Sequence, residues 1–300
     1  MALLKVEADK LSNNDLVSGI IQEIIEKDAT FALLPFAKTE SKAYVYIREN
    51  ALPTVDFLDP NDVVLEGAAT FTEITTKLRI IAGDVDVDKF IESTEGNNNN
   101  QKAVQIAAKA KAMARTFKDK FLNGDNAGAP KEFDGLKKLV VSGQTINSGA
   151  NGAALTFSML DDLLDKVTMG ADAIVMRAGT IRAYMALLRA TGGTAAAMIQ
   201  IPNFGVPVLS HNGVPILRND FSVATEVLGT GTNLCSVYAL RMNEADGVHG
   251  LFGGDAAGFV VEDIGTVQNK DATRTRVKWY VGMALKSTKS ASRLAGITNI

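Results

Sequence analysis

A chain of 300 residues is long enough to bury roughly three quarters of its unfolded surface, so length alone permits a sizeable core. Its composition, 46% hydrophobic and 22% charged, excludes disorder, and a formal charge of −3 lacks the basic excess of a dedicated nucleic-acid binder. The single cysteine, Cys235, rules out an intrachain disulfide and any cysteine-cluster metal site, and no apolar run reaches the roughly 18 residues needed to span a membrane. Lys5, Glu7, Asp9 and Lys10 interrupt the region where a secretory leader would be apolar, so synthesis in the cytoplasm is the expectation.

The first element follows Ser12-Asn13-Asn14, where Leu16, Val17, Ile20, Ile21, Ile24 and Ile25 recur at helical spacing. Preceded by polar sequence, this amphipathic helix reads either as an arm that needs a surface from elsewhere or as an ordinary core helix. Tyr44-Val45-Tyr46-Ile47 then reads as a strand, and Phe71 to Ile81 as a second. Between them, Pro53, Pro60 and three aspartates forbid a central strand. The pattern predicts a long hairpin-like excursion with an apolar, proline-stiffened tip, which a two-stranded ribbon must rest on another surface.

Asn97 to Asn100 supplies capping side chains for a helix from about Gln101 to Leu122. Ile106, Ala110, Met113, Phe117 and Phe121 form its apolar stripe, and Asn123-Gly124 predicts a left-handed stop. Phe157 to Val167 is a shorter helix, Ala173 to Met176 an apolar strand, and Thr180 to Leu188 a further helix ended by Gly192-Gly193. Short strands cut by glycine, proline and asparagine fill Ile199 to Val261, and Arg274 to Leu285 is a long strand. Helices and strands alternate without regular βαβ punctuation, which favours α+β.

The motifs of chemistry are missing. No Gly-Lys dipeptide occurs, so there is no phosphate-binding P-loop, and no nucleophile-elbow serine or paired-histidine zinc helix is present. Cys235 with His211 or His249 is the one conceivable nucleophile–base pair, set against the commoner role of a buried thiol, and His249 in Gly247-Val248-His249-Gly250 reads as a loop residue. Asp84, Asp86 and Asp88 alternate, which places three carboxylates on one strand face to hold a hard cation, meet a neighbour's cations or form a solvated edge. Asp56, Asp59 and Asp62 lack the glycine and terminal glutamate of a calcium loop. The basic residues between Lys102 and Lys120 fan around several helix faces, as a solvated surface does.

The order of these parts resembles the tailed-bacteriophage major capsid protein family, with its Hong Kong 97-type fold. Phe117 to Asp125 is similar to the end of that family's spine helix, and Phe133-Asp134-Gly135-Leu136 to the turn after it. Ala171 to Met176 and the following helix resemble the approach to its axial domain, and Gly205-Val206-Pro207-Val208 its Gly-x-Pro-Val turn. Arg274 to Leu285 with Ser290 to Leu294 resembles its long last strand and carboxyl end. The resemblance implies an N-arm over 1–38, an E-loop over 39–83, and a peripheral domain over 84–178 with the spine helix at about 101–122. It further implies an axial domain over 179–254 and a return to the peripheral domain over 255–300.

The implied function is self-assembly into pentamers, hexamers and an icosahedral virion shell enclosing double-stranded DNA, without catalysis or cofactor. Subunit contacts would involve Leu16, Ile20 and Ile24 of the arm, Pro53, Phe57, Leu58 and Pro60 of the excursion, and Arg79. Partners would be other copies of the chain, together with scaffolding, portal and decoration proteins, with DNA touched only non-specifically and no membrane. Residues 48 to 76 contain no lysine, so the covalent cross-linking of some relatives is not expected. An encapsulin-like compartment shell is the nearest alternative, and a cysteine-dependent enzyme the remote one.

Overall fold

A computed structural model of the chain describes residues 29–90, 101–191, 198–201, 207–254 and 258–298. The predicted arm helix with Leu16, Ile20 and Ile24, the Asn97–Asn100 run and Gly192-Gly193 lie outside the described residues.

The described chain begins with α1 (Ala29–Leu33) and β1 (Phe36–Thr39). Strands β2 (Ala43–Ala51) and β3 (Thr70–Lys77) form a separate ribbon, and β4 (Arg79–Asp88) leaves its base. The long helix α2 (Gln101–Asn123) follows, then α3 (Leu136–Leu139), β5 (Thr145–Asn147), α4 (Phe157–Asp165), β6 (Ala173–Met176) and α5 (Ala178–Ala190). Next come β7 (Met198–Gln200), β8 (Pro207–His211), β9 (Val214–Arg218), β10 (Glu226–Leu228) and β11 (Gly231–Leu240). The last strands are β12 (Val248–Gly253), β13 (Phe259–Thr266), β14 (Ala272–Leu285) and β15 (Ala291–Ile297).

One sheet is built on β14, which pairs antiparallel with β4 along residues 272–281, with β13 along 273–279 and with β12 along 281–285; β1 adds parallel to β12. The second runs β5-β15-β11-β6-β9-β8-β7, with β10 on β11. Its central strands are covered on both sides. Tyr238, Leu240, Ala173 and Val175 face the core under α2, while Val237, Ala239, Ile174 and Met176 alternate onto the core under α4 and α5. Double burial explains why β6 is an unbroken apolar run.

The stripe predicted for α2 is buried throughout: Ile106, Ala110, Met113, Phe117 and Phe121 each retain at most 4% exposure. Phe117 is the hub, with ring centroids 5.0 Å from Trp279, 5.4 Å from Phe31 and 5.5 Å from Phe133. The helix stop differs from the expectation. Gly124 is not among the residues of positive φ; it is glycine because a β-carbon there would lie 2.3 Å from Phe133 O and 2.6 Å from Lys120 O. Gly135 is confined in the same way by Gly124 N and Lys120 O, both 2.6 Å from its virtual β-carbon. Gly135 N donates to Gly124 O at 2.8 Å, so two backbones touch and pin the turn onto the helix end.

Two further expectations are corrected. The stretch from Phe71 to Ile81 is not one strand: it divides at Leu78, where the chain passes from the ribbon into the β14 sheet. The Ile199 to Val261 region is not made only of short strands, since β11 has ten residues. We expect Phe117→Ala to cost about 3–5 kcal/mol through cavity formation, and Gly124→Ala about 1–3 kcal/mol through overpacking. Chemical denaturation checks both.

Candidate assembly interface

The ribbon stands on a rigid base. Tyr46 is buried and its hydroxyl donates to Leu285 O at 2.7 Å; desolvation by that burial raises its pKa. Arg48 donates from Nε to Lys286 O at 2.8 Å and from Nη2 to Leu285 O at 2.7 Å, covering carbonyls at the end of β14. Tyr44 meets the ring of His249 edge-on at 5.7 Å, with the Lys286 ammonium 5.7 Å from its own centroid. Ala37, Tyr46, Leu251 and Ala284 form a small core here, joined by Ile74 and Leu78.

Away from the base the ribbon loses cover. Its ladder runs from Ala43↔Lys77 to Ala51↔Thr70 with a bulge between Glu49 and Ala51. Beyond the ladder the two arms stay together, since a β-carbon on Gly67 would lie 2.8 Å from Thr54 N. The apex is a turn of Asp59-Pro60-Asn61-Asp62: Asp62 N donates to Asp59 O at 3.0 Å, Asp59 N to Asp62 Oδ2 at 2.8 Å, and Asn61 takes φ 77°. Proline followed by a left-handed residue is the type II pattern. Phe57 is wholly exposed, and Leu52, Val55, Val63 and Val64 are each more than 70% exposed. Exposed apolar side chains gathered on so thin an element are the kind of surface that interaction sites present.

The structure thus brings Pro53, Phe57, Leu58 and Pro60 together on the exposed tip. It places Arg79 elsewhere: at the start of β4, Nε donates to Glu132 O at 3.0 Å and Nη2 donates to Asn126 Oδ1. Sequence reasoning missed the anchors Tyr46 and Arg48. Their signal was present as an amphipathic residue and a cation two positions apart within β2, but their partners lie more than 230 positions away.

The aspartate row on β4 faces one way, yet its partners belong to the same chain. Arg276 grips Asp84 and Arg274 grips Asp86 through paired contacts of 2.7 and 2.8 Å, and these guanidinium bonds hold both carboxyls below the usual range. Asp88 accepts from Phe90 N at 2.8 Å. Among the described residues no group of three His, Cys, Asp or Glu side chains is placed to hold a metal ion.

Cys235 and the histidines do not come together. The thiol is buried 3.4 Å from Thr180 Oγ1, and burial raises its pKa, which disfavours the nucleophilic thiolate. His249 lies in β12 of the other sheet, fully buried with Nδ1 3.4 Å from Gly247 O, so the loop expectation is corrected. His211 Nε2 is 2.9 Å from Asp161 Oδ1 and its Nδ1 is 3.1 Å from the Tyr184 hydroxyl; these contacts fix the β8–β9 turn to α4 and α5.

This architecture recurs in solved shell proteins. The SrpI encapsulin of Synechococcus elongatus is similar at 20% identity and TM-score 0.70, over 89% of this chain and 86% of that one. The capsid of an empty GTA particle matches at 14% identity and TM-score 0.65, over 89% and 88%. The Microbacterium phage Oxtober96 structure matches at 13% and 0.65, over 90% of each chain. No curated protein sequence matches. The fold is therefore the Hong Kong 97-type α+β fold of capsid shells. Residues 14–298 match the SU10 major capsid protein family, and the chain belongs to that family.

His249 carries a pH prediction for the ribbon base. Desolvation lowers its pKa in the folded state, with Lys286 acting the same way. The unfolded chain therefore binds more protons below the ordinary imidazole value of about 6.5, and stability falls as pH drops through that value. Thermal unfolding followed between about pH 7.5 and pH 5.5 is expected to show a declining midpoint, with a shallower decline in His249→Phe.

Proposed function

We propose that the chain is the repeating subunit of a closed virion shell, in which the ribbon tip of one copy is covered by another copy. One observation carries this reading: a ribbon rigidly anchored at its base leaves Phe57 and its apolar neighbours exposed at the tip. Burial of such a surface, at roughly 25 cal/mol per Å² of apolar area, drives association when the same contact repeats around closed symmetry. Family membership supports a structural rather than an enzymatic role.

In this reading residues 39–83 are the E-loop, 84–178 with 255–300 the peripheral domain around α2, and 179–254 the axial domain nearest the capsomer centre. Residues 1–38 are an N-arm, adding Leu16, Ile20 and Ile24 to the contacts. The subunit is made in the host cytoplasm and forms pentamers and hexamers, with scaffolding, portal and decoration proteins as further partners. Double-stranded DNA fills the shell and is touched without sequence preference, in keeping with a net charge of −3. The likeness to an encapsulin supports a second reading as a compartment shell; nuclease-protected DNA in particles from the native source separates the two.

Removing residues 55–66 joins arms that already touch at Thr54 and Gly67, so the body is expected to fold unchanged. Electron microscopy should then find capsomers or single subunits in place of closed shells. Normal shells from this deletion would overturn the role given to the tip.

A further inference from the structure

Asparagine followed by glycine is the pair in which a backbone amide most readily attacks the preceding side chain, because glycine has no β-carbon to obstruct the approach. The chain has three such pairs, Asn123-Gly124, Asn151-Gly152 and Asn212-Gly213. The fold treats them differently.

At the first pair, Asn123 Nδ2 donates to Asp119 Oδ1 at 2.9 Å and to Phe221 O at 2.7 Å. Gly124 N, the atom that would attack, already donates to Lys120 O at 2.9 Å at the end of α2. At the second pair, Asn151 Oδ1 accepts from Thr230 N at 3.0 Å. The backbones of Gly229 and Gly231 press so closely on Asn151 that no β-carbon would fit at either glycine. Neither asparagine can turn toward the nitrogen that follows it without breaking these contacts.

The third pair stands in the open. Asn212, at φ 48°, and Gly213, at φ 81°, make the two-residue turn between β8 and β9, closed by the His211↔Val214 pair. This is the type I′ pattern. Both residues are exposed, and a β-carbon on Gly213 would meet nothing within 4 Å among the described residues. Asn212 Nδ2 donates to Asp161 Oδ1 at 2.8 Å, but that carboxylate on α4 is half exposed, so water competes for the bond. The same oxygen lies 2.9 Å from His211 Nε2, so Asp161 holds the turn through both residues.

We propose that Asn212 is a self-modification site, an amide that converts to a carboxylate and thereby unfastens the β8–β9 turn from α4. Gly213 N attacks Asn212 Cγ. The new N–C bond closes a succinimide ring while the Cγ–Nδ2 bond breaks, and the proton from Gly213 N leaves with Nδ2 as ammonia. Water then opens the ring at either carbonyl, giving aspartate or, with the main chain rerouted through the side chain, isoaspartate. Either product replaces a donor facing Asp161 by an acceptor of like charge, which is unfavourable at contact distance. Isoaspartate also lengthens the main chain of a turn whose geometry depends on its two-residue length. The hairpin lies beyond β6 at one end of the second sheet, so its release leaves the central strands paired.

Ageing the full chain in mildly alkaline buffer tests the site. Peptide mapping by mass spectrometry reads the amide-to-acid mass change at all three pairs. Conversion at Asn212 should run at least about tenfold ahead of Asn123 and Asn151, since exposed turns open at lower free energy than packed segments. Ageing the chain in denaturant should abolish that lead, because the dipeptide is the same at each position. The variant Asn212→Asp copies one product. Hydrogen exchange of its β8 and β9 amides should rise at least about fivefold, while β6 and β11 keep the parent rates. Asn212→Ser, which keeps a donor and adds no charge, should stay closer to the parent.

Conversion at Asn212 no faster than at the other two pairs, or a lead that persists in denaturant, would overturn the site. Parent-like exchange in Asn212→Asp would overturn the unfastening of the turn.

Discussion

Everything in this molecule is arranged around the face that α2 lays on β14, centred on the Phe117 and Trp279 rings 5.0 Å apart. Phe31 after the amino-terminal segment, Phe36 at the start of β1 and Phe133 beyond α2 all bring their rings to within about 6 Å of Phe117. A single side chain therefore joins four chain segments. The same strand that receives the helix also pairs with β4, β12 and β13, so helix and sheet share one register. Aromatic clusters of this kind bury large areas and prefer tilted contacts, which restricts the helix to one seat.

The position of the ribbon is inherited from that arrangement. β4 pairs with β14 over ten residues and is continuous with β3 through Leu78, so the ribbon leaves the body along a direction set by the sheet. Tyr46 and Arg48 then attach its other strand to the carbonyls of Leu285 and Lys286, at the end of β14 itself. The base is thus held through both strands, while Phe57 and its apolar neighbours at the tip stand exposed. Rigid at one end and uncovered at the other, the ribbon keeps its apolar tip available and in a fixed direction. Pre-organisation of this sort reduces the ordering cost of association.

The polar groups of the body serve to fix geometry. Arg274 and Arg276 stand opposite Asp86 and Asp84 across β14 and β4, supporting the register of the longest strand pair. Glu226 is held by Arg293 and Ser236, which ties β10 to β11 and β15. The Asp161–His211–Tyr184 chain plays the same part for the β8–β9 turn. In each case a titratable group is engaged by a structural neighbour, whereas Leu52, Val55, Phe57, Val63 and Val64 stand more than 70% exposed around the ribbon tip.

The sequence by itself determined the elements whose burial repeats with a local period. The stripe from Ile106 to Phe121 and the long β14 were legible because a helix or strand face is written every three to four, or every two, residues, and β6 because a strand buried on both faces is apolar throughout. The exposed tip was legible too, since prolines and aspartates bar Pro53 to Asp62 from any sheet interior. What stayed hidden were relations between distant segments. Gly124 signalled a helix end, but its physical reason, backbone contact with Gly135, exists only once the turn folds back. The aspartates of β4 pointed to a cation, a neighbour or solvent, and only strand pairing showed that Arg274 and Arg276 of the same chain stand opposite them. Arg79 looked like a contact residue, and the fold turned it toward Glu132 and Asn126. His249, flanked by glycines, became a fully buried strand residue because β1 and β14 close over β12. Local periodicity sets which face of each element is apolar; which faces meet is decided by long-range packing, and no short stretch of sequence encodes it.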